Sequence, residues 1–301
     1  MTDDVTLKKL RAVFAAEQRP LSQPATKMAQ AIEARHGDAV IALVFYGSAL
    51  RESDDPDKML DFYVVVKDYR SVYPNPFLRF ATALLPPGVH FLQVNTDDGH
   101  RLRAKYAIVS EAGFHRRVSG GLETMLWARF VQPSLIHARS AEIRDKIIAS
   151  FAMGCAHFYR QTAPLITDKS QSVWTRGLAE SYRTELRPER PFARAAEIVA
   201  RNKERYAALT EILSEELRSP SPMSHRLCTA KWWLRRMTGK PRGALRVLKA
   251  ALTFDAGLDY LLEKVGSHSG VEIELSDAAH RHPILYSPVI AWRLYRAGAF
   301  R

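Results

Sequence analysis

Two short apolar runs early in the chain predict a pair of buried strands. Residues 39–45 and 60–66 are rich in β-branched and aromatic side chains, and each run is too short for a buried helix. Gly47 and Ser48 follow the first run, and Asp61 is the second residue of the other. A Gly-Ser pair at a strand end lets a ligand approach the backbone and offers it N–H groups and a hydroxyl, which suits phosphates.

An aspartate on the neighbouring strand, facing that turn, is suited to hold the Mg²⁺ that accompanies a nucleoside triphosphate. The core of the nucleotidyltransferase fold has this order: a strand, a Gly-Ser turn, a loop, and a second strand that carries an aspartate. The alternative is an ordinary turn, with Asp61 as a cap or a surface charge. Enzymes of this type usually carry a second carboxylate two residues later, on the same face of the strand, where this chain has Tyr63.

The remaining pattern predicts an α+β protein, with a mixed sheet and helices followed by a mainly helical part. Helical spacing covers residues 6–18, 25–36, 76–85 and 122–130, and residues 89–94 and 101–109 predict a β-hairpin. Beyond residue 140 helical periodicity dominates, over residues 141–159, 172–187 and 192–217. We therefore place a catalytic domain at 1–140 and a helical domain at 141–301.

Cations recur every second residue in the second strand of this hairpin. Arg101, Arg103 and Lys105 share one face of the strand by its two-residue period. They either meet a triphosphate or form the exposed polar face of an edge strand. The acidic loop 51–58 has no periodicity and contains a proline, so we interpret its carboxylates as solvated.

The composition indicates the cellular compartment of the protein and the class of partner that it binds. The chain has 301 residues with two distant cysteines, which argues against a zinc site or a disulfide framework and fits a reducing compartment. Its start is acidic and its best apolar stretch, residues 147–159, is too short to span a bilayer. We therefore expect a cytoplasmic protein. The formal net charge of +12 indicates polyanionic partners.

Much of that charge lies in residues 226–249, which hold eight Lys and Arg residues and no acid, interleaved with Trp232 and Trp233. This composition is typical of a segment that lies on an anionic membrane surface. A nucleic-acid-binding patch and an ordinary solvated helix face are the two other interpretations.

Taken together, the motifs resemble the mitochondrial-type phosphatidate cytidylyltransferases, also called the mitochondrial translocator assembly and maintenance protein family. The resemblance lies in the order of several motifs across most of the chain: Tyr46-Gly47-Ser48, Met59-Leu60-Asp61-Phe62, Pro87 to Phe91, Lys105 to Ser110, Arg129 with Pro133, Ser181 to Arg187, and the tail 287–298. This family likewise has a single Asp followed by apolar residues. The chain departs from its pattern at Val72-Tyr73, Ala128, Thr184 and Glu185.

The resemblance implies transfer of a cytidylyl group from CTP to phosphatidate, with Mg²⁺ as cofactor, by a protein peripheral on the inner face of an anionic membrane. It implies catalytic roles for Asp61, Lys105 and Glu185, with Asp61 and Glu185 as metal ligands. The nucleotide-binding residues would be Tyr46, Gly47, Ser48, Arg129, Ser181, Tyr182 and Arg187. No nucleic acid is expected as a partner.

Two other functions stay open from the sequence. One is a nucleotidyltransferase with another phosphate or a protein as acceptor. The other is a nucleic-acid-binding protein on an inactive nucleotidyltransferase scaffold, which would bind DNA or RNA through residues 226–249 and release no pyrophosphate.

Overall fold

A computed structural model of the protein describes residues 3–50, 58–96, 99–168, 170–186, 190–214 and 222–253, together with residues 289, 292, 293 and 296. Its five strands are β1 (Val40–Tyr46), β2 (Leu60–Val66), β3 (Gly88–Asn95), β4 (Arg101–Ser110) and β5 (Ser134–Ala138). The helices in the described residues are α1 (Asp4–Ala16), α2 (Gln23–His36), α3 (Pro76–Leu84), α4 (Glu111–Val118), α5 (Ala141–Thr162), α6 (Val173–Arg183), α7 (Pro191–Arg201), α8 (Lys203–Ser214) and α9 (Pro222–Thr253).

The strands form one mixed sheet in the order β3-β4-β2-β1-β5. β2 runs parallel to β4, whereas β1 is antiparallel to both β2 and β5, and β3 is antiparallel to β4. The hairpin of β3 and β4 predicted from the sequence is present. The α+β class, with a mixed sheet followed by a mainly helical region, is confirmed.

Helices cover both faces of the sheet, which explains why its central strands are apolar on both sides. Phe62 and Val64 of β2 pack with α2 in one cluster of buried residues, and Tyr63 and Val65 pack with α1, α4 and α5 in the other. The second cluster also includes Trp232 of α9, so one core contains residues from both sides of residue 140. The domain boundary stays a prediction.

Two sequence-based predictions of local structure are wrong. Residues 122–130 form turns rather than a regular helix, because the positive φ angles of Gly120 and Gly121 precede them and the buried Trp127 and Phe130 fix their path. The helical run 192–217 is two helices, since the chain breaks at Asn202, whose side-chain amide donates to the Ile198 carbonyl at 2.8 Å. No sequence pattern predicted strand β5.

Candidate active site

The register of β1 and β2 brings the turn and the aspartate of the sequence analysis together. Tyr46, the last residue of β1, is the register partner of Asp61 at the start of β2. Gly47 follows with φ of 92°, and a β carbon there would lie 2.9 Å from Oδ2 of Asp61. Only glycine combines this backbone angle with so close an approach to the carboxylate. Ser48 then begins a short 3-10 turn.

A cavity of about 380 Å³, which we call the Gly47 cavity, opens beside this turn. Six of its lining residues were predicted from the sequence: Tyr46, Gly47, Ser48, Asp61, Arg129 and Tyr182. The remaining lining residues include Arg19, Gln132, Arg194 and Asn202, which no motif indicated. A cavity of this size is within the usual range for a small-molecule site.

Arg129 supplies a fixed positive charge to the Gly47 cavity. Its guanidinium lies over the Tyr46 ring, 5.0 Å from the centroid. Burial by itself lowers the pKa of Arg129, but the nearby Tyr46 and Glu185 raise it, and the net pKa lies above its usual value. Its buried Nε has no hydrogen-bond partner among the described residues. An arginine held in this way is suited to bind an oxyanion.

Tyr63 lies where the predicted acids and cations converge. Burial raises the pKa of its hydroxyl, and the nearby Glu185 and Asp61 also raise it. Arg129 and Arg246 oppose that effect. The charges of Glu185 and Asp61 therefore both act on the Tyr63 hydroxyl, although the two acids line different cavities. The sequence analysis noted Tyr63 only as the place of an absent second carboxylate.

A second cavity, the Lys105 cavity, has a volume of about 260 Å³. Lys105 is the register partner of Asp61 on the adjacent strand β4, so the two residues lie about 5 Å apart in backbone position. The charged residues that line this cavity are Lys105, Glu123, Glu185, Arg235, Arg242 and Arg246. The Gly47 and Lys105 cavities are therefore lined by neighbouring residues of one sheet.

Helix α9 forms the outer wall of the Lys105 cavity. A β carbon at Gly239 would lie 2.5 Å from the Thr184 carbonyl oxygen, so α9 crosses directly over the residue before Glu185. Arg246 contacts Glu123, which also pairs with Arg117. Burial lowers the pKa of Arg246. Helix α9 thus contributes arginines to a cavity whose other residues come from strand β4, from the turns at 122–125 and from the segment that follows α6.

A third cavity, of about 420 Å³, shares one lining residue with each of the other two. Tyr182 lines both this cavity and the Gly47 cavity, and Glu185 lines both this cavity and the Lys105 cavity. Arg183, Arg236 and Lys240 contribute its cations. The end of α6 is therefore the common edge of all three cavities.

Among the predicted site residues that the structure describes, Ser181 is the one that does not join the others. Ser181 is buried, and its hydroxyl donates to the Leu178 carbonyl at 2.8 Å, so it faces its own helix rather than a cavity. Arg187 lies outside the described residues, as do most of the acidic loop 51–58 and most of the tail 287–298. In strand β4, Arg101, Arg103 and Lys105 share one face, as predicted, while the residues between them are buried.

The basic segment 226–249 divides into an inward and an outward face. Trp232 is 1% exposed and its indole N–H donates to the Gln161 carbonyl at 2.7 Å. Arg235 is also buried and donates to the Gln161 side chain at 2.9 Å. Trp233, by contrast, is 58% exposed. The two tryptophans of the predicted membrane segment therefore have different environments.

No group of three or more His, Cys, Asp or Glu side chains placed to hold a metal ion occurs in the described ranges. Mg²⁺ in nucleotide enzymes is commonly held by one or two carboxylates together with substrate phosphates, and Asp61 and Glu185 fit that smaller donor set. Among the helices described, none has the length and apolar character to cross a bilayer.

Comparison with known proteins adds little to this geometry. No protein-family model matches the chain, and no curated protein matches it. Among solved structures, the chain is similar to a nucleotidyltransferase-like protein from Exiguobacterium sibiricum over 91% of each chain, with 14% sequence identity and a TM-score of 0.28. At that TM-score the likeness carries no argument about the site.

Proposed function

We propose that this chain is a nucleotidyltransferase that transfers the cytidylyl group of CTP to the phosphate of phosphatidate, giving CDP-diacylglycerol and pyrophosphate. The observation that carries the proposal is the close approach of Gly47 to Asp61, with Lys105 beside Asp61 on the next strand. The choice of CTP and phosphatidate depends on the order of the sequence motifs.

The Gly47 cavity is the proposed nucleotide site. The turn at Gly47 and Ser48 would present backbone N–H groups and a hydroxyl to the triphosphate, and Arg129, which lines the same cavity, would neutralise its charge. Asp61 and Glu185 would hold Mg²⁺ together with phosphate oxygens, and the ion would stabilise charge on the nucleotide.

The Lys105 cavity is the proposed acceptor site. Lys105 and Arg242 line it, which suits a phosphate monoester. Leu186 and Met237 also line cavities here, and more than half of each side chain is exposed. Cations inside and apolar residues at the opening match an acceptor that joins a phosphate to acyl chains.

The chemistry needs alignment and charge neutralisation rather than a covalent nucleophile of the protein. An oxygen of the acceptor phosphate attacks the α-phosphorus, and its bond forms as the bond from that phosphorus to the α–β bridging oxygen breaks. Pyrophosphate leaves with the electron pair. The acceptor attacks as an anion, so the step requires no general base. Lys105 and Arg129 oppose the repulsion between the two anionic substrates.

The exposed face of α9 is the proposed membrane contact. Trp233, Leu234 and Met237 are exposed, together with Lys231 and Lys240. Apolar side chains interleaved with lysines bind an anionic lipid surface by burial and by charge. Because phosphatidate stays in the bilayer, a catalytic site on this sheet would need such a surface to reach it.

Pyrophosphate release tests the proposal. Wild-type protein would be incubated with Mg²⁺, each of CTP, ATP and GTP, and vesicles with or without phosphatidate. We expect release only with CTP and phosphatidate, and a loss in Asp61→Asn but not in Asp145→Asn, which changes an exposed aspartate of α5. Release with another acceptor would support nucleotidyl transfer as the reaction and would exclude phosphatidate as the acceptor. No release, together with salt-sensitive binding of nucleic acid, would reject the enzyme.

A further inference from the structure

Helix α3 carries a row of large apolar side chains that the protein leaves uncovered. Phe77, Phe80 and Leu84 are 68%, 66% and 64% exposed, and their spacing of three and four residues places them on one face. We call this set the α3 apolar face. On the opposite side of the helix Thr82 is buried and Leu78 packs against the core. The helix is therefore anchored by one side and presents the other to solvent.

The one charged residue of helix α3 is a cation. Helix α3 contains no acidic residue, and its own cation, Arg79, is fixed at the start of the helix by donating to the carbonyls of Tyr73 and Pro74. Three large apolar side chains beside Arg79 complement a lipid surface, which has an apolar interior and anionic headgroups.

The turn that follows α3 is bound to the C-terminal part of α9 by two side chains. Lys249 donates to the carbonyls of Leu85 at 2.6 Å and Pro87 at 2.8 Å, directly after α3 ends. Arg246 donates to the Pro86 carbonyl at 2.8 Å. The end of α3 is therefore fastened to α9, whose outward residues form the proposed membrane contact.

We propose that the α3 apolar face inserts into the anionic membrane surface as a second contact beside α9. This inference depends on the proposed function, in which the acceptor stays in the bilayer. One amphipathic helix leaves the protein free to rotate about the helix axis, whereas two contacts fix the orientation of the Lys105 cavity toward the lipid. Phe77 and Phe80 would lie at the boundary between the lipid headgroups and the acyl chains, where interfacial helices place their aromatic side chains.

Vesicle binding tests this contact without measuring turnover. The double variant Phe77→Ser/Phe80→Ser is compared with wild type by cosedimentation with phosphatidylcholine vesicles that contain or lack phosphatidate. We expect affinity for the phosphatidate vesicles to fall by about tenfold or more, because burial of each phenylalanine contributes strongly. The control Val5→Ser, an equally exposed apolar position on α1, should bind like wild type. Thermal unfolding of both variants checks that they are folded.

A fluorescent label reports insertion directly. Phe80→Cys and Val5→Cys would each carry an environment-sensitive dye, since both native cysteines are buried. We expect a blue shift and quenching by brominated lipid at position 80 and neither at position 5.

Equal vesicle affinity of the double variant and wild type, or a dye at position 80 that stays in water, would overturn the inference. So would self-association in the absence of vesicles that the double variant abolishes, because a second copy would then cover the face. If the protein binds vesicles through Phe77 and Phe80 but releases no pyrophosphate, this membrane contact is supported and the proposed activity is wrong.

Discussion

A β carbon on Gly47 would lie 2.9 Å from Oδ2 of Asp61, closer than side-chain carbons approach one another or an oxygen in proteins. The contact joins the end of β1 to the start of β2 at the point where the Gly47 cavity opens. The proposed site therefore has no room for a side chain at position 47.

The variant Gly47→Ala tests that closeness. Its methyl group would displace the Asp61 carboxylate, and we expect turnover to fall about a hundredfold or more, since small displacements of reacting groups have effects of that size. Gly99→Ala is the matched control, because Gly99 also has a positive φ, of 83°, but a β carbon there meets nothing within 4 Å. Equal activities of the two variants would show that a side chain at position 47 is tolerated beside Asp61, which would contradict the proposed site.

Arg129→Lys tests the arginine of the nucleotide site. The substitution keeps the charge and removes the planar group that lies over Tyr46, so we expect the KM for CTP to rise about tenfold with a smaller change in kcat. Arg144→Lys, on the exposed surface of α5, is the control. An unchanged KM in Arg129→Lys would remove this arginine from the nucleotide site.

The two carboxylates should respond differently to Mg²⁺. We expect Asp61→Asn to be inactive at every Mg²⁺ concentration, because it removes the acid beside the turn. Glu185→Gln should recover part of its activity at high Mg²⁺, since one carboxylate and the phosphates remain as donors. Glu211→Gln, on the exposed side of α8, is the control. If Glu185→Gln needs no more Mg²⁺ than wild type does, Glu185 is not a metal ligand.

The neighbouring tryptophans of α9 should separate stability from membrane binding. Trp232→Ser empties a buried site beside Trp127 and should lower the free energy of unfolding by about 3–5 kcal/mol. Trp233→Ser should leave that energy within about 0.5 kcal/mol and weaken binding to phosphatidate vesicles. Denaturant unfolding and cosedimentation measure the two effects. Equal vesicle binding by Trp233→Ser and wild type would contradict the proposed role of α9.

His90 should make the protein less stable in acid. Burial, and then the nearby His36, Arg35 and Lys249, lower the pKa of His90 to about 4 from a usual value of 6.5. Below pH 6.5 the unfolded chain therefore binds a proton that the folded protein does not, so stability falls as pH falls toward 4. The loss at pH 5 should be about 2 kcal/mol.

Denaturant unfolding at pH 7 and pH 5 measures the total loss, to which His157 also contributes, because burial lowers its pKa to about 4 as well. His90→Gln should reduce the difference between the two pH values, although it also removes the 2.8 Å hydrogen bond between Tyr73 and His90 and lowers stability at both. His100→Gln, at an exposed position, should keep the wild-type difference. An unchanged difference in His90→Gln would mean that other groups cause the acid sensitivity.

The sequence alone was sufficient for the centre of the proposed site. The apolar runs at 39–45 and 60–66 have no competing helical pattern, and strands β1 and β2 are present there. The register that brings Gly47 against Asp61 is a finding of the structure. A local sequence pattern can predict a short strand, because the strand depends on a few neighbouring residues.

The outer parts of the site depend on tertiary packing that no local pattern reveals. Arg19 and Asn202 reach the Gly47 cavity from loops far apart in sequence. Trp232 and Trp233 are adjacent and chemically alike, and only the docking of α9 on Gln161 separates them. Tyr63 stands in the sequence where a second carboxylate is expected, whereas in the structure the charges of Glu185 and Asp61 both raise the pKa of its hydroxyl.

The most direct test of nucleotidyl transfer at the Gly47–Asp61 pair is detection of the lipid product by mass spectrometry. Wild-type protein and Asp61→Asn would be incubated with CTP, Mg²⁺ and phosphatidate vesicles, and CDP-diacylglycerol would be measured in the lipid extract. We predict that wild type forms it and Asp61→Asn does not. Absence of the product with wild type, or equal formation by both proteins, would contradict the proposal.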